Sequence, residues 1–83
     1  MIPKIESIKV LDDYTLFVAF KDGKKGLYDV GEDIEQIKQF ADLKNIHGLF
    51  KNAQIDESRT VIYWNDIIDL PSDAIYQHLK ECD

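Results

Sequence analysis

A single cysteine, Cys82, stands among the 83 residues, so no internal disulfide can form and a reducing compartment, the cytoplasm, is expected. Two prolines and four glycines supply no linker. The glycines are isolated, unlike those of a phosphate-cradling loop. No apolar run nears the roughly 20 residues that a membrane-spanning helix needs. "MIPKIESIKV" lacks the continuous apolar core of a signal peptide, so neither export nor membrane association is expected. Positive charge is scarce as well: 10 basic residues face 16 acidic ones, a net charge of −6. That balance repels phosphate backbones and argues against autonomous nucleic-acid binding.

What remains is an ordinary globular composition, 45% hydrophobic and 31% charged, in a chain long enough for one domain, residues 1–83, around one core. The charge is unevenly placed. Residues 1–30 hold five lysines against five acids, whereas residues 31–83 hold five basic residues against eleven acids. The second part therefore suits a basic protein partner, although acidity also serves solubility alone.

Periodicity predicts an α+β fold. In "IKVLDDYTLFVAFKDGKKGLYDV", Ile8 and Val10 alternate with polar neighbours and Asp12-Asp13 can turn the chain. Tyr14, Leu16, Val18 and Phe20 then share one face, with Phe17 and Ala19 on the other. A strand apolar on both faces belongs in the middle of a sheet or beneath helices. Asp22-Gly23 is a hairpin signal, because Gly tolerates the positive φ such turns require. Lys24 to Val30 returns, completing an antiparallel meander.

From Gly31 the spacing becomes helical. Ile34, Ile37 and Ala41 form one face, with Glu32 and Asp33 at the end of the helix that favours acids. Leu43, Ile46, His47 and Phe50 predict a second short helix or a bent continuation. Ala53–Asp56 and Thr60–Trp64 read as strands joined at "ESR", and Ile67–Leu70 as a further short strand or extended segment. Pro71 or Ser72 starts a last helix, with Asp73 in its first turn and Ile75, Leu79 and Cys82 on one face.

In this order and spacing, "IKVLDDYTLFVAFKDGKKGLYDV", "FADLKNIHGLF", "AQID" and "VIYWNDIIDLPSDAIY" resemble the bacterial family called domain of unknown function 2442. The last segment is the most specific: a strand closing on tryptophan, a polar turn, Ile-Asp-Leu, a proline helix start and an aromatic. "LPSDAIY" departs from the family habit of an acid directly before the proline, which touches only the helix start. The resemblance implies a small α+β domain without an established enzymatic activity. Genes of the family often lie beside a second small gene, an arrangement like a toxin–antitoxin pair. Longer relatives append a helix-turn-helix segment, for which these 83 residues leave no room. No catalytic or ligand residues carry over.

Several residues could carry chemistry. His78 and Cys82, four apart on a helix, could bind zinc together with His47. No second close pair supports this, and the expectation is a half-buried histidine and an incidental thiol. A Cys–His nucleophile would need a pocket and an oxyanion donor that the pattern does not supply. Asp66, Asp69 and Asp73 flank Trp64 and Tyr76, but an acid/base role needs a buried carboxyl. Asp69 is expected to accept hydrogen bonds from backbone N–H groups instead. Lys21, Lys24 and Lys25, close in sequence to Tyr14, Phe20 and Tyr28, could meet a nucleic-acid strand. They are expected to be a solvated hairpin tip.

Tyr63 and Trp64 are neighbours on a strand and so point to opposite faces. Either one packs inside while the other anchors a partner, or both are covered. The resulting expectation is a non-catalytic protein-binding module without cofactor or metal. Its contacts would come from Tyr63 or Trp64 together with Asp66 and Asp69, and its partner would be a basic protein encoded nearby. A homodimer through an exposed sheet edge is compatible with this reading. The alternatives are a nucleic-acid-binding regulator using the hairpin lysines, or a small-molecule-binding or enzymatic domain built around a pocket.

Overall fold

The six residues Thr15–Phe20 form β2, the strand around which the fold is organised. The computed structural model describes residues 2–81. β2 lies between β1 (Ile5–Val10) and β3 (Lys25–Asp29). A late strand, β7 (Lys80–Glu81), adds to the free side of β3 and completes a four-stranded antiparallel sheet in the order β1-β2-β3-β7. β4 (Gln54–Ile55), β5 (Val61–Tyr63) and β6 (Asp69–Pro71) form a second, three-stranded antiparallel sheet. The protein is thus a small α+β domain, with an N-terminal meander and a late helix, as its periodicity predicts.

The two meander turns have different chemistry. Asp13 and Tyr14 both have positive φ, 58° and 56°, so Tyr14 belongs to the first turn rather than to the strand. Such a conformation disfavours a residue with a Cβ. Edge-on packing of the Tyr14 ring on Phe50, with centroids 5.3 Å apart, opposes that cost. At the second turn only Gly23 has positive φ, 98°. The Lys24 N–H donates to Asp22 Oδ1 at 2.9 Å and the Phe20 N–H to the Lys24 carbonyl at 2.8 Å. The connection is a three-residue loop, in which one left-handed glycine suffices.

Leu16, Val18 and Phe20 are almost fully buried. Together with Ile5 and Tyr28 they turn the inner face of the first sheet onto Ile62, Trp64, Ile68 and Leu70 of the second sheet region. Each such side chain contributes about 1.5–3 kcal/mol by leaving water. The helical segments fill the remaining sides. α1 (Val30–Gln36) is capped by the Asp29 carboxylate, which accepts the Gly31 N–H at 2.8 Å.

The predicted helical run beyond α1 is divided. Ile37 is extended, at φ −111° and ψ 115°, and 37% exposed. A 3-10 turn at Lys38–Ala41, the single turn α2 (Asp42–Asn45) and a second 3-10 turn at Phe50–Asn52 follow. Phe40, Leu43 and Phe50 are buried, whereas Ile46 is 49% exposed and His47 is exposed. Helical spacing therefore set Leu43 and Phe50 inward correctly, but misassigned Ile37, Ile46 and His47 and missed Phe40. The chain bends to bring Phe40 edge-on to Trp64, with centroids 6.3 Å apart, a contact that one straight helix face does not encode.

The last helix, α3 (Ser72–His78), is also shorter than its apolar spacing suggests. Leu79 turns extended and is buried, and Lys80–Glu81 leave to pair with β3. The close approach is possible because residue 26 is glycine. A Cβ there would lie 2.8 Å from Glu81 Cα and within contact distance of the Lys80 carbonyl. His78 and Leu79 consequently do not continue a helical face toward Cys82, which lies outside the described residues. Ser72, buried at the start of α3, donates its hydroxyl to the Pro3 carbonyl at 2.7 Å and its N–H to the Thr60 carbonyl at 2.7 Å.

Candidate functional site

Four residues from the sequence pattern come to the β5–β6 hairpin, but not to one surface. Trp64 is only 6% exposed. Its Nε1–H donates to the Phe50 carbonyl at 2.9 Å, and its ring stacks on Phe50 at 19° with centroids 6.0 Å apart. Trp64 is therefore a core residue and cannot anchor a partner. Tyr63 projects to the opposite face, half-buried, with its hydroxyl 3.5 Å from Gln54 Oε1.

Register pairing sets Tyr63 directly between Gln54 on β4 and Asp69 on β6. Residues opposite one another in antiparallel strands share a face, so Gln54, Tyr63 and Asp69 form one row on the outer side of this sheet. Asp69 is exposed and makes no hydrogen bond or ion pair among the described residues. The expectation that it accepts backbone hydrogen bonds is not met. Asn65 does that work instead: its Oδ1 accepts the N–H groups of Ile67 and Ile68, both at 2.9 Å. This closes the turn and leaves Asp66 exposed, with Ile67 70% exposed beside it. Ile67, read as strand from its neighbours, thus sits at the hairpin tip. Its exposure is a feature that the sequence pattern did not show.

The "ESR" connection is organised around a different carboxylate. Asp56 accepts the Ser58 hydroxyl at 2.8 and 2.9 Å and the N–H groups of Thr60 and Val61, both at 3.2 Å. These bonds, that from Ser58 foremost, hold its carboxyl below the usual range. Arg59, at φ 60°, donates to the carbonyls of Ile5 and Glu6 at 3.2 and 2.9 Å and so fastens the two sheets together.

The hairpin lysines are not one solvated tip. Lys24 Nζ donates to the Tyr76 carbonyl at 3.0 Å, lies 4.0 Å from that ring's centroid and stands 3.5 Å from Glu81 Oε1. Lys21 and Lys25 remain exposed. Phe20 and Tyr28 point inward, so the alternative grouping of these lysines with Tyr14, Phe20 and Tyr28 does not form either.

His47 and His78 are both exposed, contrary to the half-buried histidine expected. No group of three or more metal-ligating side chains occurs among the described residues. His78 does line a cleft of about 210 Å³ with Tyr28, Glu32 and Asp33, below the roughly 300 Å³ at which ligand pockets begin. Within it the Tyr28 hydroxyl donates to Asp33 Oδ2 at 2.6 Å. Burial, then that bond and the surrounding acids, push the Tyr28 hydroxyl far above its ordinary value and keep it protonated.

A second surface escaped the sequence pattern. On the outer side of the first sheet Phe17 lies between Lys9 and Leu27, and Ala19 between Ser7 and Lys25. Phe17, Ala19 and Leu27 are half-buried and stand outside the core cluster. Of the two explanations for a doubly apolar strand, the central position in the sheet is the one realised.

No helix among the described residues is long and apolar enough to cross a membrane. Neither the curated proteins nor the solved structures contain a match to this chain. Residues 5–81, from the first residue of β1 to the last of β7, match the family described as "Protein of unknown function (DUF2442)", and the chain belongs to that family.

Proposed function

We propose that this protein is a non-catalytic protein-binding module of the bacterial cytoplasm, one component of a toxin–antitoxin-like gene pair. It engages a basic partner through the β5–β6 hairpin. One observation carries this reading: the register sets Tyr63 beside Asp69 on a solvent-facing sheet surface. The same hairpin exposes Asp66 and Ile67 at its tip. Tyrosine supplies large contact area at little conformational cost, and an aliphatic tip side chain adds apolar area. Flanking carboxylates orient a basic surface and speed encounter. The excess of acids in residues 31–83 points the same way.

The test is co-purification with the product of the neighbouring gene, followed by titration calorimetry. Y63A and D69K should each weaken the complex at least about ten-fold, as loss of an interface hot spot does. D69K should also reduce the salt sensitivity of association. Affinity indifferent to both substitutions would reject this surface as the partner site.

A further inference from the structure

We infer that the outer face of the four-stranded sheet is a second docking surface, for an acidic protein segment that carries an apolar side chain. Three observations converge. First, Phe17 and Leu27 are directly opposite each other on adjacent strands, facing away from the core, with Ala19 next along β2. Paired across the strands and outside the core cluster, the ring and the leucine form one apolar centre on this face. Second, cations flank that centre. Lys9 is opposite Phe17 on one side, and Lys25 is opposite Ala19 on the other. Both lysines are exposed, and neither side chain makes an ion pair or hydrogen bond among the described residues. Third, the acid two residues beyond Leu27 on β3, Asp29, opposite Thr15, is engaged as the cap of α1 through the Gly31 N–H. An apolar centre with a charged rim is the anatomy of a protein interface.

Charge selects the occupant. A second copy stacked face to face would set Lys9 and Lys25 of one chain among the same residues of the other, and like charges brought together disfavour association. A nucleic-acid strand would find Phe17 as the aromatic platform beside an aliphatic Leu27. Single-strand binders stack successive bases on several rings within a positive groove, and this chain carries a net charge of −6. An acidic segment needs no row of stacking rings, and at this face it meets two exposed lysines of opposite sign. Its carboxylates pair with Lys9 and Lys25 while its apolar side chain covers Phe17 and Leu27. This surface is opposite in sign to the hairpin surface of the proposed partner site, and the inference stands independently of that site.

The experiment is selection of a displayed library of random dodecapeptides on the immobilised full chain, then fluorescence anisotropy of the enriched peptides. The expected peptides contain several Asp or Glu residues around an aromatic or aliphatic one. F17S, and separately the K9E/K25E pair, should each weaken them at least about ten-fold. Y63A should leave them unchanged. Unaltered circular dichroism of the variants confirms that the fold is intact, as outward positions predict. Failure to enrich acidic peptides, or affinity unmoved by F17S, overturns the inference. So does tighter binding of an oligouridylate probe, or a concentration-dependent dimer that F17S dissolves in sedimentation velocity.

Discussion

Tyr76 donates its hydroxyl to Asp22 Oδ2 at 2.7 Å, fastening the second meander turn to a helix 54 residues later. Lys24 reinforces the junction from above the same ring. The shared proton moves both groups in opposite directions. The Tyr76 bond, followed by that from the Lys24 N–H, holds the Asp22 carboxyl below the usual range, and the bond to Asp22 raises the Tyr76 hydroxyl. In Y76F the Asp22 carboxyl should therefore titrate closer to its ordinary value. Carboxyl carbon shifts followed through acid pH check this, and an unmoved midpoint would mean that the bond does not persist in solution.

Stability should fall at both ends of the pH scale, for reasons of opposite sign. The depressed Asp56 carboxyl binds a proton less readily in the folded state than in the unfolded chain. Its contribution is complete above the unfolded value of about 3.9 and is lost as pH drops through the lower folded value. The raised Tyr28 hydroxyl does the reverse. Its contribution is complete below about 10 and fades as pH climbs through the higher folded value. Urea midpoints measured across pH should form a plateau with two falling limbs. D56N should flatten the acid limb and Y28F the alkaline one.

Neighbouring aromatics should have unequal effects on stability. W64F keeps most of the stacked ring but leaves the buried Phe50 carbonyl without its donor, a loss of about 1–3 kcal/mol. W64A adds a cavity and should cost about 3–5 kcal/mol. Y63A, on the outer face, should cost much less than W64A. Urea unfolding followed by circular dichroism ranks the three, and equal losses for Y63A and W64A would contradict the assignment of faces.

G26A places a methyl group against the backbone of Lys80 and Glu81. Backbone cannot yield as a flexible side chain would, so β7 must shift, at a cost of about 1–3 kcal/mol. Amide hydrogen exchange should quicken at β7 and at its partner β3 while protection persists at Ile62. Protection of β7 equal to that of the unaltered chain would show that the close approach is not maintained.

Much of this architecture is legible in the chain where the determinants are local. The two meander turns follow from Asp12-Asp13 and Asp22-Gly23, and the inward face of β2 follows from strict alternation. Pro71 and Ser72 mark the start of α3. Each depends on a few adjacent residues, whose steric preferences act before any distant contact forms. The α+β class and the family membership follow from the order of such pieces.

Other features depend on residues far apart in sequence. Apolar spacing alone cannot show that the chain bends at Ile37 to deliver Phe40 to Trp64, or that α3 stops so that Lys80 can meet Leu27. Alternation requires Tyr63 and Trp64 to diverge, but only the position of Phe50 beneath the second sheet decides that Trp64 is the buried one. Lys24 likewise reads as a solvated lysine until Tyr76 comes within 4.0 Å. Sequence determined the local turns, strands and helix start through steric and periodic constraints. Tertiary structure alone decided which faces are covered and which stay open to solvent, because burial is a property of what packs on top.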